Sequence, residues 1–333
     1  SLAARRRGKK KSGRSYAWRY RGRIVACVFV EVIIICALVI MIGWNKGVKE
    51  WFEQFEQPVL KEVDISGINS PNAILMQARG GKILGEINGE AQIYPASMTK
   101  IMTVILGIEN FDDLDEKITL TNEMFSGLYE QDATQAGFQP GEEVRVIDLL
   151  YGAMLPSGAE CCIALADTIS GSEADFAELM NKKARKLGME NTHFCDSTGL
   201  HNPNHYSTVK DIAVLMKYCI KNDTFREIVE TSRHSTGVTN IHPDGITYYS
   251  TMFKNLSDPT VTGGKILGGK TGYTSEAGHC LVSFAEIEGR EYIFVSAGAS
   301  GADGNTIPHI QDAVTVYNRV GAAIEEKMND NNK

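Results

Sequence analysis

The sequence has few of the features that define several protein classes. Its 333 residues include seven cysteines, and no two of these form a C-x-x-C pair, so neither a zinc ribbon nor a thioredoxin-like site is expected. Two of the seven lie in an apolar N-terminal segment, which leaves an odd number elsewhere and argues against a disulfide framework. There is no internal repeat and no collagen-like or Gln/Asn-rich bias. With 43% hydrophobic and 23% charged residues, the composition is that of a folded globular protein whose cysteines are mostly small buried side chains.

Acidic residues are almost absent from the first 50 positions. Residues 1–50 carry 12 Lys and Arg against two acids, a net charge of +10, whereas the rest of the chain carries 22 against 39, a net charge of −17. An acidic body repels a phosphate backbone, so nucleic acid is not an expected partner. The basic N-terminal tract therefore needs another role.

An apolar run follows this basic tract. Nineteen residues from Ile24 contain a single charge, Glu31, and as a helix they would extend roughly 28 Å, close to the thickness of a bilayer core. Ten Lys and Arg precede the run and only two follow it closely, which by the positive-inside rule places the N-terminus in the cytoplasm. We expect an uncleaved anchor in the cell membrane and an extracytoplasmic body. A cleaved signal peptide fits less well, because the run is long and no A-x-A-like site precedes Trp44.

Hydrophobic periodicity divides the following part of the chain into strands at both ends and helices between them. Strands are predicted at residues 73–76, 83–84, 265–270, 279–287 and 292–299. Helices are predicted at residues 97–109, 146–154, 161–169, 174–186, 209–219 and 309–327. This order indicates an α+β domain whose sheet joins the N-terminal and C-terminal parts of the chain.

Two residues with catalytic potential, Ser97 and Lys100, lie at the predicted start of the first helix. Positions i and i+3 share a helix face, so the amine can approach the hydroxyl. A serine hydroxyl becomes a strong nucleophile when a base takes its proton, and an amine can do so only when burial or a nearby cation favours its neutral form. Alone, the pattern is weak: an N-cap serine is the simpler interpretation, and Ser207 and Lys210 repeat the pattern at a predicted helix cap.

Two further motifs change this interpretation. A loop between helices contains S-G-A at residues 157–159, and K-T-G at residues 270–272 ends a predicted strand. The order, spacing and placement of the three motifs match the S-x-x-K, S-x-N and K-T-G layout of penicillin-binding proteins and serine β-lactamases.

The sequence closely resembles the serine-type D-alanyl-D-alanine carboxypeptidases among the low-molecular-mass penicillin-binding proteins, peptidase family S11. The stretches that carry the resemblance are YPASMTKIMT, DLLYGAMLPSGAE, DSTGLHNPNHYST and GGKTGYTSEAGHC. The resemblance implies a penicillin-binding/serine β-lactamase-like transpeptidase fold, in which helices and a helical subdomain flank an antiparallel sheet. The expected organisation is a basic cytoplasmic tail (1–23), a transmembrane anchor (24–43), a stalk (44–65), a catalytic domain (66–323) and a polar tail (324–333).

The resemblance also implies an activity, the removal of the terminal D-Ala from peptidoglycan stem peptides. Ser97 would be the acylated nucleophile and Lys100 its base, and Ser157 would relay a proton to the leaving group. β-Lactams would acylate the same serine and act as inhibitors. No metal or other cofactor is expected.

Substrate binding is assigned by the same resemblance to the third motif. Lys270 and Thr271 would bind the terminal carboxylate of the substrate. The next two residues, Gly272 and Tyr273, would also belong to the substrate-binding site. The backbone N–H groups of Ser97 and Tyr273 would form the oxyanion hole. An ammonium and a hydroxyl suit a carboxylate, and backbone donors suit a developing oxyanion.

One position departs from the family pattern. Ala159 stands where the second motif has Asn, whose amide would contact the base lysine and the peptide carbonyl of the substrate. One hypothesis is that the next residue, Glu160, reaches into the site instead. The simpler one is that Glu160 caps the following helix, where an acid is favoured.

Several alternatives remain open. A D,D-endopeptidase or transpeptidase would use the same residues, and the altered second motif leaves room for a penicillin-binding or peptidoglycan-binding protein without turnover. A β-lactamase is disfavoured because no E-x-x-L-N segment lies between the second and third motifs. A Ser/His/Asp hydrolase lacks its G-x-S-x-G motif, and Pro203 between His201 and His205 argues against a helical metal pair.

Overall fold

The strands predicted at the two ends of the chain form one sheet. The computed structural model describes residues 32–33, 59–301 and 307–331. Its strands are β1 (Asn72–Gln77), β2 (Ile83–Ile87), β3 (Lys117–Thr119), β4 (Glu143–Arg145), β5 (Arg233–Ser235), β6 (Thr247–Tyr249), β7 (Thr260–Val261), β8 (Gly264–Thr274), β9 (Gly278–Ile287) and β10 (Arg290–Ala299). Six of them form an antiparallel sheet in the order β2-β1-β10-β9-β8-β7. Because β1 pairs with β10, the prediction of a sheet that joins the two parts of the chain is confirmed.

The middle of the chain is helical, as its periodicity predicted. The helices are α1 (Lys100–Asn110), α2 (Val146–Met154), α3 (Ala159–Ser170), α4 (Glu173–Leu187), α5 (Val209–Cys219), α6 (Asp223–Glu230), α7 (Thr251–Asn255) and α8 (Pro308–Asn331). The bounds of α2 and α5 agree with the prediction at both ends. Helix α6, the five-residue α7, strand β7 and the two small two-stranded sheets β3–β4 and β5–β6 were not predicted, because such short segments show little periodicity.

Alternate residues of the central strands face two separate apolar cores. Along β10, Ile293 and Val295 pack into one core, whereas Tyr292 and Phe294 pack into the other. Helix α8 covers the second face of the sheet, and α5 lies on the first. Side chains alternate across a strand, so strands covered on both faces are apolar at nearly every position.

The first predicted helix begins differently from the prediction. Residues Ala96–Thr99 form a 3₁₀ helix, and the α-helix starts only at Lys100. Ala96 has a left-handed backbone (φ 47°), which an α-helix does not accommodate. The N-cap interpretation of Ser97 is also wrong, because Pro95 occupies the cap position and no side chain caps this turn.

The N-terminal predictions fall mostly outside the described residues. The basic tail at 1–23 and nearly all of the anchor at 24–43 lie there. In the part of the chain that the structure describes, no helix is both long and apolar enough to cross a membrane. Leu60, Val63 and Ile65, from the end of the segment expected to be a stalk, pack into the core beneath α8.

The five cysteines among the described residues are all free thiols. Cys161, Cys162, Cys219 and Cys280 are buried, and Cys195 is half-buried. Burial raises the pKa of Cys162 and Cys280 to about 12. The prediction of small buried cysteines without a disulfide framework is confirmed for this part of the chain.

Candidate active site

The Ser97 hydroxyl and the Lys100 amine are in direct contact. Lys100 Nζ donates to Ser97 Oγ at 2.9 Å and to the carbonyl oxygen of Thr198 at 2.7 Å. Ser97 lies within the 3₁₀ helix and Lys100 is the first residue of α1, so one tight turn carries both groups. Lys100 is only 4% exposed, and this burial lowers the pKa of its ammonium below the ordinary 10.5. The lysine is therefore biased toward the neutral form that a base requires.

A turn that begins at Asp196 fixes the carbonyl beside Lys100. Asp196 Oδ1 accepts hydrogen bonds from the backbone N–H groups of Thr198 at 2.8 Å and Gly199 at 2.7 Å. Its other oxygen lies 3.4 Å from His205 Nδ1. Burial alone would raise the pKa of Asp196, but the His205 side chain and these hydrogen bonds lower it to about 2.

The same histidine links this turn to the 3₁₀ helix. His205 is buried, and its Nε2 lies 2.8 Å from Thr99 Oγ1, two residues after Ser97. Sequence reasoning assigned no role to Asp196 or His205, because nothing in their local pattern marks a contact across about a hundred residues. The stretch DSTGLHNPNHYST, which contains both, was the one signal that could have drawn attention to them.

The second motif meets the third through a serine and a lysine. Lys270 Nζ donates to Ser157 Oγ at 3.0 Å and to the carbonyl oxygen of Thr271 at 2.9 Å. Ser157 has a left-handed backbone (φ 71°), a conformation that costs free energy in a residue with a side chain and is often found at functional sites. Burial, together with the charge of nearby Lys100, lowers the pKa of Lys270 well below its ordinary value. Since two buried ammonium groups repel, a neutral Lys100 favours a charged Lys270.

Strand β8 approaches the 3₁₀ helix closely at Gly272. A Cβ at this position would come within 2.9 Å of the Ser97 nitrogen and 3.2 Å of the Ala96 Cβ. The preceding residue, Thr271, has its Oγ1 2.7 Å from Thr251 Oγ1 in α7. The following residue, Tyr273, is 61% exposed. The absence of a side chain at Gly272 therefore lets the β8 backbone pass beside the Ser97 amide.

These groups share one cleft of about 890 Å³. It is lined by Ser97, Ser157, Thr271, Gly272 and Tyr273 together with residues of the surrounding loops. Lys100 and Lys270 are buried beneath the cleft and are bonded to Ser97 and Ser157, respectively. The structure thus brings together all seven residues that the sequence singled out.

Comparison with known proteins identifies the family. Residues 59–301 match the family described as D-alanyl-D-alanine carboxypeptidase, peptidase S11. The chain belongs to this family. Among curated proteins, it is 35% identical over 231 residues to D-alanyl-D-alanine carboxypeptidase DacF of Bacillus subtilis, a match covering 69% of this chain and 57% of that protein. It is 33% identical over 262 residues to DacC of Escherichia coli, covering 71% and 58% respectively, so it spans less than two thirds of either relative.

Solved structures show the same fold. The Streptomyces K15 DD-transpeptidase has a TM-score of 0.69 at 29% sequence identity, and the match covers 78% of this chain and all of that one. A D-alanyl-D-alanine carboxypeptidase from Mycobacterium tuberculosis, at 22% identity, has a TM-score of 0.68 and covers 78% of this chain. The expected penicillin-binding fold is confirmed by these similarities and by the curled sheet with its helices.

Ala159, the residue that departs from the family pattern, is buried against the loop that contains Thr134. Ala159 is 2% exposed, lies outside the cleft lining and donates its backbone N–H to the carbonyl oxygen of Thr134 at 2.8 Å. Glu160 is in the first turn of α3, where a carboxylate is favoured. Its Oε1 accepts hydrogen bonds from the backbone N–H groups of Ala136 at 2.6 Å and Gly137 at 2.9 Å. The hypothesis that Glu160 reaches into the site is therefore wrong, because its carboxylate is directed to the loop instead.

The second S-x-x-K sequence is a helix cap, as predicted. Thr208 is the N-cap of α5, and its hydroxyl accepts from the Asp211 N–H at 3.0 Å. Lys210 is directed away from Ser207 and pairs with Glu90 at the surface. Among the described residues, no group of three or more His, Cys, Asp or Glu side chains is arranged to hold a metal ion.

Proposed function

We propose that this chain is a serine D,D-carboxypeptidase that removes the terminal D-Ala from peptidoglycan stem peptides through an acyl-enzyme on Ser97. The observation that carries the proposal is the 2.9 Å contact between Lys100 Nζ and Ser97 Oγ, with the lysine buried and its pKa lowered. The names of the curated relatives support the same activity.

Acylation follows from this contact. The neutral Lys100 amine takes the proton of the Ser97 hydroxyl, and the oxygen attacks the carbonyl carbon of the penultimate D-Ala. The resulting oxyanion accepts hydrogen bonds from the backbone N–H groups of Ser97 and Tyr273. When the C–N bond breaks, Ser157 passes a proton to the departing amine of the terminal D-Ala. Ser157 is suited to this role because its hydroxyl already bonds to the Lys270 ammonium.

The third motif would select the substrate by charge. A D-Ala-D-Ala terminus ends in a carboxylate, and the Thr271 hydroxyl lines the cleft above the buried Lys270. A bound carboxylate would favour the charged form of Lys270 and so oppose the effect of burial on its pKa. Gly272 serves a steric role, since it keeps the β8 backbone close to Ser97.

The fate of the acyl-enzyme separates two activities. Attack by water releases the shortened peptide and completes the carboxypeptidase reaction, whereas attack by an amine of a second stem peptide forms a cross-link. The structural similarity to the Streptomyces K15 DD-transpeptidase is the observation that favours transpeptidation as the second candidate. Endopeptidase activity would use the same acyl-enzyme on a cross-linked substrate.

A membrane location and β-lactam inhibition complete the proposal. The ten basic residues before Ile24 and the apolar run after them support a single-pass anchor with the catalytic unit outside the cytoplasm, where peptidoglycan lies. A β-lactam carries a strained amide and a carboxylate that resemble the two reacting features of the substrate, so we expect it to acylate Ser97.

Release of D-Ala tests this function. The full-length protein in detergent is incubated with diacetyl-L-Lys-D-Ala-D-Ala, and free D-Ala is measured for the wild type, Ser97→Ala and Lys100→Ala. We expect both variants to lose more than about a thousandfold in rate. Lys210→Ala, which alters the other S-x-x-K sequence at an exposed lysine, is the matched control and should keep the wild-type rate. Equal rates for Ser97→Ala and the wild type would overturn the proposal.

A further inference from the structure

One wall of the catalytic cleft comes from a loop that none of the three motifs includes. Gln131, Asp132 and Thr134 line the cleft together with Ser97 and Ser157. Within the described residues, the side-chain polar atoms of Gln131 and Thr134 make no hydrogen bond, and both residues are exposed. Two side chains with free donors therefore line the same cleft as Ser97 and Ser157.

The backbone of this loop is well fixed at its beginning. The N–H of Gln131 donates to the carbonyl oxygen of Gly127 at 3.1 Å, and the N–H of Ala133 donates to that of Leu128 at 2.9 Å. The loop is thus a series of tight turns, and the side-chain amide of Gln131 lies beside Gly127, where a Cβ would be 3.0 Å from the amide nitrogen.

The second motif itself holds the other end of the loop. Glu160 is fully buried, and one of its oxygens accepts from the N–H groups of Ala136 and Gly137 while the other has no partner among the described residues. Ala159 donates to the Thr134 carbonyl oxygen at 2.8 Å. At the residue before, Gly158, a Cβ would come within 2.7 Å of the Ala136 Cβ. All three residues after Ser157 therefore contact the loop.

The chemistry of the wall limits what it can bind. The cleft must accept a peptide, and a peptide carbonyl requires a donor. Asp132, when ionised, only accepts hydrogen bonds. The Gln131 amide has two N–H donors and one acceptor, so it can hydrogen-bond to both the C=O and the N–H of a peptide group. The other side-chain amide in the described cleft lining, Asn255, already donates to the carbonyl oxygen of Thr251 at 2.8 Å.

From this arrangement we propose that Gln131 binds the peptide group of the substrate that precedes D-Ala-D-Ala, and that Glu160 is a positioning residue which holds the loop for this contact. The inference rests on the proposed function, since it concerns the same cleft. Gln131 would thus make the contact with the substrate peptide group that the buried Ala159, which has no side-chain amide, cannot make.

Two β-lactams separate this contact from a general effect on the site. Benzylpenicillin has a side-chain amide in the place of the substrate peptide group, whereas 6-aminopenicillanic acid lacks it. The second-order rate of Ser97 acylation is measured with each compound on the full-length protein. For Gln131→Ala, we expect about a tenfold loss with benzylpenicillin, the effect of one hydrogen bond, and less than a twofold change with 6-aminopenicillanic acid. Gln135→Ala, an exposed residue of the same loop outside the cleft lining, is the matched control and should match the wild type with both.

The role of Glu160 is tested by two substitutions. Glu160→Ala leaves two backbone N–H groups without an acceptor, so we expect the same selective loss with benzylpenicillin as in Gln131→Ala. Glu160→Gln keeps an oxygen that accepts both hydrogen bonds and should restore the rate to within about threefold of the wild type. Since Gln131→Ala changes only an exposed side chain, it tests the substrate contact even if Glu160→Ala fails to fold.

Different results would contradict the assignment of Gln131, the role of Glu160 and the proposed function. Equal losses with both β-lactams, or no loss with either, would overturn the assignment of Gln131. A Glu160→Gln rate as low as that of Glu160→Ala would overturn the positioning role of Glu160. If wild-type Ser97 is acylated by neither compound, the proposed function itself fails.

Discussion

A Cβ at Gly272 would come within 2.9 Å of the backbone nitrogen of Ser97. The two residues are 175 positions apart in the chain, yet the sheet brings strand β8 against the 3₁₀ helix without a side chain between them. The oxyanion hole we propose consists of the N–H groups of Ser97 and Tyr273. The geometry of this oxyanion hole therefore depends on Gly272, although Gly272 has no side chain that could contact the substrate.

We expect Gly272→Ala to slow acylation at least tenfold in protein that circular dichroism shows to be folded. The added methyl group must displace β8 from the 3₁₀ helix, and small displacements of preorganised donors have large effects on rate. Gly237→Ala is the matched control, because its Cβ would meet only Arg145 at an ordinary 3.6 Å. An unchanged acylation rate in Gly272→Ala would show that the close approach has no catalytic role.

The pH dependence of acylation tests the role of Lys100. Burial lowers the pKa of this lysine below 10.5, so the neutral amine should form at a lower pH than in an ordinary lysine. We predict that the rate of Ser97 acylation rises with pH and reaches half of its maximum below pH 10.5. Stopped-flow measurement of the reaction with a fluorescent penicillin gives this profile. A rate that keeps rising tenfold per pH unit up to pH 10 would show that no base of lowered pKa activates the serine.

Acid stability tests the turn that supports Lys100. Asp196 has a pKa of about 2 in the folded protein against an ordinary 3.8. A carboxyl whose pKa is lower in the folded state stabilises it fully above pH 4 and loses this contribution as the pH falls toward 2. We predict that the free energy of unfolding falls by on the order of 2 kcal/mol more in the wild type than in Asp196→Asn over this interval. Urea unfolding at pH 5 and pH 2.5 measures it, and parallel losses in both proteins would contradict the prediction.

We predict that introducing the family residue into the second motif has little effect on acylation. Ala159→Asn restores the family residue, but position 159 is 2% exposed and lies outside the cleft lining. We expect acylation by benzylpenicillin to stay within about threefold of the wild type, because Gln131 already supplies the amide. The buried Asn lacks a partner and should cost about 1–3 kcal/mol of stability. A gain of tenfold or more in rate would mean that the missing amide limits this protein.

Much of the fold and the catalytic residues could be predicted because their signals are local. Helix α2 and strand β9 show their periodicity in ten residues or fewer, and the three motifs each lie within four consecutive positions. The resemblance to a known family then placed Ser97, Ser157 and Lys270 in one site.

The remainder could not be predicted because it depends on contacts between distant, ordinary residues. The Thr99–His205–Asp196 connection joins one polar residue of the S-x-x-K motif to a turn about a hundred positions later. The Glu160 carboxylate is bonded to backbone N–H groups, which leave no trace in the sequence. The left-handed backbone of Ser157 is likewise set by packing, since serine has no intrinsic preference for it.

The most direct test of the account is to locate the acylated residue. The full-length protein is incubated with a fluorescent penicillin, digested with trypsin and analysed by mass spectrometry. We predict one labelled peptide, residues 83–100, in which Ser97 is the single serine, and no label in Ser97→Ala. A label on another peptide, or no label in protein shown to be folded by circular dichroism, would contradict the assignment of Ser97 as the nucleophile.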